Sequence, residues 1–124
     1  MLDVQEMYRQ RLKTPDEIAE YFESGFVCAS PTCVPQPIVI AEAIGRRVRR
    51  EDLWGILHHT LIPFPGAFLE EDIADKYGHV SWFSDSYSRA GVQKGIYDFM
   101  PGHLSQIPRM WEQEMDKVDV FYSA

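Results

Sequence analysis

The chain has 124 residues, 45% hydrophobic and 25% charged, with a formal net charge of −7. That length bounds it to one domain around a single core, and the composition is that of an ordinary water-soluble globular chain. The acidic balance argues against a nucleic-acid partner, which would require a basic stripe. No apolar run approaches the ~18 residues of a membrane span, and the polar start with Asp3 and Glu6 does not read as a signal peptide, so no membrane is expected and the cytoplasm is the default location.

A short helix is expected over residues 4–12. The next has a clear start: Thr14-Pro15-Asp16-Glu17 is a capping box with Pro at the first helical position. Ile18, Ala19, Tyr21 and Phe22 supply its apolar face, and Gly25 is read as its stop. Residues 26–29 form a short buried strand. After a loop over 30–36, Pro37 opens a helix through Val48, with Ile40, Ala41, Ile44 and Val48 on one face. The next strand is expected at 53–58. This strand–helix–strand unit reads as having strands covered on both faces, as parallel strands are.

Residues 60–77 make a long connection. Its apolar, breaker-rich part, 62–68, reads either as a loop packed on its own body or as a lid or subunit contact. A short helix is expected over 70–77 and a strand over 80–83. Asp85 or Ser86 caps a helix ending near Lys94, with Gly95 as its terminal glycine. A short strand over 97–100 follows. Ser105 is then expected to cap a helix over 106–115 with Pro108 in its first turn, and 118–122 to form a last strand interrupted by Asp119. This order predicts an α/β fold with an open, mainly parallel sheet and helices on both faces. The chain stops on that strand with nothing to cover it, so the expectation is an incomplete domain.

Arg46, Arg47, Arg49 and Arg50 cluster at a helix end, where cations favour the dipole. The alternative is an anion site. Cys28 reads as a core residue and Cys33 as a loop residue; no disulfide framework and no zinc site follow from two cysteines at this spacing. His58 and His59 are adjacent on a strand and point to opposite faces, so they do not chelate one metal, and one of them is expected to reach a site. His103 reads as a polar loop residue. There is no Gly-x-Ser-x-Gly elbow and no strand-following glycine loop for phosphate, since Gly91 and Gly95 lie on or after a helix. Ligands of open parallel sheets bind beyond the carboxyl ends of the strands. Residues 30–35, 59–63, 84–88 and 102–106 fall there.

The stretch over residues 78–111 is the most distinctive. An aromatic strand with a hydroxyl-rich exit, His79 to Ser84, leads to Ser88 and Gly91, then to Lys94-Gly95. Tyr97-Asp98-Phe99-Met100-Pro101 and His103-Leu104-Ser105-Gln106-Ile107-Pro108 follow. In order and spacing this resembles the N-terminal half of the acetyl-CoA hydrolase and CoA-transferase family, including the 4-hydroxybutyrate and butyryl/acetate CoA-transferases. Gln106 stands where that family usually has Glu, and Met110-Trp111 where it has Leu-Phe.

The resemblance implies that residues 1–124 form one N-terminal CoA-transferase-like domain of a longer family chain. It implies an acyl-CoA:carboxylate CoA-transferase or acetyl-CoA hydrolase with no permanently bound cofactor. Coenzyme A enters as a thioester substrate, and the reaction runs through a glutamyl-CoA thioester. The nucleophilic glutamate belongs to the family's C-terminal half. No position here matches its surroundings, and the Val-Ser-Pro-x-Asp-x-His-Gly motif that follows the Val118-Asp119-Val120 strand in the family is missing, so no catalytic residue is named and the chain alone is expected to be inactive. Implied partners are an acyl-CoA, a small carboxylate, the C-terminal half or a second subunit, and further copies in a homo-oligomer. The substrate-lining candidates, from strand-end position, are Thr32, Cys33, Val34, Pro35, Gln36, His59, Ser105 and Gln106. A binding or regulatory half-domain, using the aromatic region of Trp82, Phe83 and Tyr87, is the alternative. A thioesterase is disfavoured because no nucleophile–base spacing supports it.

Overall fold

Local capping places the helices before any packing is considered. The computed structural model describes residues 3–32, 34–113 and 117–124. Its helices are α1 (Val4–Arg11), α2 (Pro15–Ala19), α3 (Ile38–Arg49), α4 (Ser86–Gln93) and α5 (Ile107–Gln113). The capping box of α2 is present. The Glu17 N–H donates to Thr14 Oγ1 at 3.3 Å, and Glu17 Oε2 accepts from the Thr14 N–H at 2.7 Å. Asp85 caps α4, its Oδ1 accepting from the N–H groups of Tyr87 at 2.6 Å and Ser88 at 2.9 Å.

The strands are β1 (Val27–Ala29), β2 (Ile56–Thr60), β3 (Tyr77–Ser81), β4 (Asp98–Phe99) and β5 (Val120–Phe121). They form one sheet in the order β4-β3-β2-β1-β5, and each pairing is parallel. The expected open α/β fold is therefore present, with a sheet parallel throughout its described strands. The chain steps outward from β1 to β4, then crosses back to lay β5 beside β1. That reversal makes a topological switch point between β1 and β5, where open sheets leave a crevice at their carboxyl ends.

The sheet has two unlike faces. On one, α3, α4 and the connection around Phe68 cover Cys28, Ile56, His58 and Tyr77, joined by Ile44, Val48 and Leu53 in the main core. On the other, α5 brings Trp111 against His59 and Trp82. The connection over 60–77 packs on its own body, with Pro63, Ala67 and Phe68 buried.

Several expected boundaries move, each for a physical reason. Helix α2 stops at Ala19, because Arg47 Nη1 donates to the carbonyls of Ala19 at 2.6 Å and Phe22 at 2.9 Å, and the chain tightens into turns. Tyr21 is then 67% exposed and leaves the apolar face it was assigned to. Gly25, at φ +86°, turns the chain toward β1 without capping α2 itself. Strand β2 starts at Ile56 and not at Leu53, because Gly55 has φ +68° and breaks the extended run. Strand β3 begins at Tyr77, three residues earlier than expected (80 − 77), because it pairs residue for residue with Ile56–Thr60. Phe83 lies beyond it, where the Ser81 hydroxyl donates to the Phe83 carbonyl at 2.6 Å and bends the chain.

The helix expected over 70–77 is reduced to one 3-10 turn, Glu71–Ile73, preceded by another at Ala67–Leu69, and Tyr77 belongs to β3. Ser105 does not cap a helix. It lies inside a 3-10 turn, Leu104–Gln106, where Gln106 Oε1 accepts the His103 N–H at 3.0 Å, and α5 begins at Ile107. The expected end of that helix, at 115, lies outside the described residues. The strand expected over 118–122 is shortened to Val120–Phe121, and Asp119 precedes it: its Oδ2 accepts from the Val27 N–H at 2.9 Å and its N–H donates to the Val27 carbonyl at 2.8 Å, which docks β5 onto β1.

Gly91 has a packing reason to be glycine. A Cβ there would land inside the ring of Tyr97, whose hydroxyl donates to the Leu69 carbonyl. Gly91→Ala is expected to cost roughly 1–3 kcal/mol through overpacking. Urea unfolding of the two proteins measures this directly, and coincident midpoints would refute the close approach.

Candidate functional site

Because side chains alternate along a strand, neighbouring histidines acquire opposite surroundings. His58 is fully buried on the core face. Its Nε2 lies 2.9 Å from Ser30 Oγ and 3.2 Å from the Tyr122 hydroxyl. Tyr122 in turn lies 3.5 Å from the Tyr77 hydroxyl. Gln36 extends the chain of polar groups: its Nε2 donates to Ser30 Oγ at 3.2 Å, and its Oε1 accepts the Phe64 N–H at 2.6 Å. The network joins the exits of β1, β2 and β5 through one imidazole. Burial holds His58 well below the ordinary imidazole range, with repulsion from His79 and His59 adding to it. Burial likewise pushes the Tyr77 and Tyr122 hydroxyls and the Cys28 thiol up.

His79 lies beside His58 on β3. Its Nδ1 donates to the His58 carbonyl at 3.2 Å, and its Nε2 has no hydrogen-bond partner among the described residues. Burial pushes its pKa down to about 4, against smaller upward contributions from the His58 carbonyl bond and Asp85. The hydroxyl-rich exit of β3 is structural. The Ser88 hydroxyl donates to Asp85 Oδ2 at 2.5 Å and contacts Ser81 Oγ at 3.1 Å, which locks the cap of α4.

His59 faces the other way, into an open-sided cavity of about 370 Å³ beyond the carboxyl ends of β1 and β2. Ala29, Leu61, Trp82, Ile107, Trp111 and Phe121 form most of its walls. Trp82 and Trp111 stack with ring centroids 5.9 Å apart and planes 17° from parallel. The Trp82 indole N–H donates to His59 Nδ1 at 3.1 Å. An indole nitrogen only donates, so Nδ1 is the acceptor and the neutral ring carries its proton on Nε2. Thr60, Ser30 and Val118 complete the lining, the last two beside β5 at the switch point. No carboxylate lines this cavity among the described residues. Nor do three or more described His, Cys, Asp or Glu side chains gather to hold a metal ion.

Of the eight residues expected from sequence to line a site (Thr32, Cys33, Val34, Pro35, Gln36, His59, Ser105 and Gln106), His59 is on the cavity wall. Gln36 is buried and braces two loops. Thr32 Oγ1 reaches the Ile62 carbonyl at 3.4 Å, while Val34 and Pro35 are exposed. Ser105 and Gln106 are exposed, and Gln106 borders a separate depression with Pro101, Arg109 and Met110. Cys33 lies outside the described residues. Sequence reasoning missed Trp82, Ile107, Trp111 and Phe121 as cavity walls. One signal was available: Ile107 and Trp111 are four apart on a helix, so they share a face.

The arginine cluster is occupied by the protein itself. Arg46 pairs with Asp16 at 2.6 Å, Arg49 with Asp72 at 3.0 Å and with Glu70, and Arg50 with Asp52 at 3.2 Å. With Arg47 on helix carbonyls, each guanidinium has protein partners, which favours the helix-end reading over the anion site.

Residues 1–122 match the acetyl-CoA hydrolase/transferase N-terminal domain, and the chain belongs to that family. It is 33% identical over 106 residues to the succinyl-CoA:cyclohexane-1-carboxylate CoA transferase of Geobacter metallireducens, covering 83% of this chain and 23% of that one. It is 25% identical over 120 residues to the butyryl-CoA:acetate CoA-transferase of Anaerostipes caccae, covering 96% of this chain and 27% of that one. In structure it is similar to RipA from Yersinia pestis, with a TM-score of 0.85 at 21% identity, covering 98% of this chain and 30% of that one. The chain thus spans about a quarter of the length of these curated relatives. No helix among the described residues is long and apolar enough to cross a membrane.

The buried histidines generate a pH prediction. Unfolded, each titrates near 6.5; folded, burial brings His79 down to about 4 and holds His58 well below the ordinary imidazole range. As pH falls below 6.5 the unfolded chain takes up protons that the native state refuses, so stability falls, by up to about 1.4 kcal/mol per pH unit for each such histidine. Urea midpoints at pH 7, 5.5 and 4.5 are expected to decline. The decline is expected to be shallower in His79→Phe, which removes one titrating group.

Proposed function

We propose that this chain is the N-terminal part of an acyl-CoA:carboxylate CoA-transferase, residues 1–124 forming a single domain, and that the strand-end cavity is one wall of its acyl site. The observation that carries the reading is that cavity, at the switch point of a sheet in a chain of this family. Parallel sheets bind their ligands at this place. The reaction class is CoA transfer: both curated relatives quoted above are named CoA-transferases. Hydrolysis is the same chemistry with water reaching the activated acyl group.

In this reading a glutamate from a segment outside these residues attacks the thioester carbonyl. CoA thiolate leaves and a mixed anhydride forms. The thiolate then attacks the glutamyl carbonyl, releasing the first carboxylate and leaving a glutamyl-CoA thioester. The acceptor carboxylate reverses these steps. The apolar character of the described lining supports a division of labour in which this domain shapes the acyl group and another supplies the nucleophile. No permanently bound cofactor takes part, and a cytoplasmic location suits CoA thioesters. Exposed Val4, Tyr8 and Leu12, spaced i, i+4, i+8 along α1 and its cap, support a contact with a further subunit or segment.

The test is a chimera in which residues 1–122 replace the matching segment of the Geobacter metallireducens transferase, assayed for exchange of labelled carboxylate into acyl-CoA. Exchange is expected in the chimera and none in the 124-residue chain alone. A chimera that melts cooperatively yet exchanges no label would overturn the reading.

A further inference from the structure

We infer that the strand-end cavity is shaped for a ring-sized, wholly apolar acyl group, the acyl part of an alicyclic or aromatic carboxylate of about six ring carbons. The inference rests on the functional reading above and names its substrate class. Size is the first argument. A dry cavity of about 150 Å³ lined by apolar side chains holds a benzene ring. The space here is about 370 Å³, far more than an acetyl group fills, and within the range of small-molecule sites.

Wall chemistry is the second argument. Ala29, Leu61, Ile107, Val118 and Phe121 have no polar side-chain atoms, Trp82 turns its single donor onto His59, and the other polar members of the lining are the His59 ring, the Trp111 indole N–H and Thr60, whose hydroxyl is buried. Ser30 at the rim spends its hydroxyl on His58 and Gln36. A hydroxyl or second carboxylate carried into this mostly apolar space would lose its water and find few partners to replace it, a net penalty in affinity. A saturated or aromatic ring meets two indole faces instead.

Position is the third argument. The cavity opens at the β1/β5 switch point, so a ring placed against Trp82 and Trp111 leaves its carboxyl at the mouth, where chemistry from another segment can reach it. Trp82 and Trp111 are thereby specificity determinants. They touch the ring and not the reacting carbon.

The test uses the full 124-residue chain, ¹⁵N-labelled, with its three tryptophans as reporters. Trp54 is 60% exposed and outside the cavity, so it serves as the internal control. Cyclohexanecarboxylate, 4-hydroxycyclohexanecarboxylate, butyrate and acetate are titrated while the indole N–H resonances are followed. Each buried methylene is worth about fourfold in affinity. Cyclohexanecarboxylate is therefore expected to shift Trp82 and Trp111, leave Trp54 in place, and half-saturate at least tenfold below butyrate and the hydroxylated ring. Acetate is expected to shift neither cavity tryptophan. Trp111→Ala is expected to abolish the response of Trp82, and Ala29→Leu, which narrows the cavity from the sheet side and keeps both indoles, to weaken it at least tenfold.

Silence of Trp82 and Trp111 toward the ring, or equal responses to ring and acetate, would overturn the inference; silence would mean that a protein side chain is the occupant. The two readings fail separately. A chimera that exchanges CoA but favours acetate over the ring acid keeps the functional reading and sinks this one. Ring binding at the two indoles with an inert, folded chimera does the reverse.

Discussion

The organisation of this domain depends on one buried, neutral imidazole. His58 sits on the central strand of the sheet, and its ring reaches Ser30 after β1 and Tyr122 after β5. Phe68 and Tyr77 pack against it. A charged ring here would have no carboxylate to meet among these contacts, so burial keeps it neutral. From β2 the neutral ring ties the exits of β1 and β5, the two strands that flank the topological switch point, to the centre of the sheet. The register of β1 against both β2 and β5 follows from the same neighbourhood, with Asp119 fastening the far side to Val27.

That constraint explains why a single residue step separates structure from site. His58 and His59 are consecutive on β2, so anchoring the first to the core sends the second to the opposite face. There α5 lays Trp111 over it, and Trp82, just past β3, accepts its place beside the ring. One face is sealed and holds a satisfied polar network, apart from His79 Nε2 and Thr60 Oγ1, which have no partner among the described residues. The other keeps an apolar hollow where the strands end. The hollow is therefore a consequence of leaving one sheet face thinly covered.

Functionally, the arrangement suits a domain that shapes a substrate and does not attack it. No described acidic side chain lines the cavity, and several are engaged in caps and ion pairs such as those to Arg46 and Arg49. Membership of the acetyl-CoA hydrolase/transferase family gives the hollow a chemical context, and the short span relative to the curated relatives is consistent with chemistry that needs further residues.

The helices were legible in the residues because their signals are local. Thr14 to Glu17, Asp85 and Gly95 mark ends through hydrogen bonds and dihedrals reaching no further than three or four residues. The parallel α/β class was legible too, from apolar strands alternating with amphipathic helices, and the motifs over 78–111 carried the family. Strand boundaries were not, because β3 starts where its partner Ile56 lies, and a strand rich in His and Ser looks polar until both faces are covered. The site was legible only at His59. Its companions come from β1, α5 and β5, separated by up to 92 residues (121 − 29), and nothing local in a sequence records that the fold returns β5 to β1. The sequence by itself determined the caps, the fold class and the family; only the tertiary structure decided which histidine stayed in the core and which tryptophans walled the cavity, because pairing register and crossover order are long-range choices set by packing.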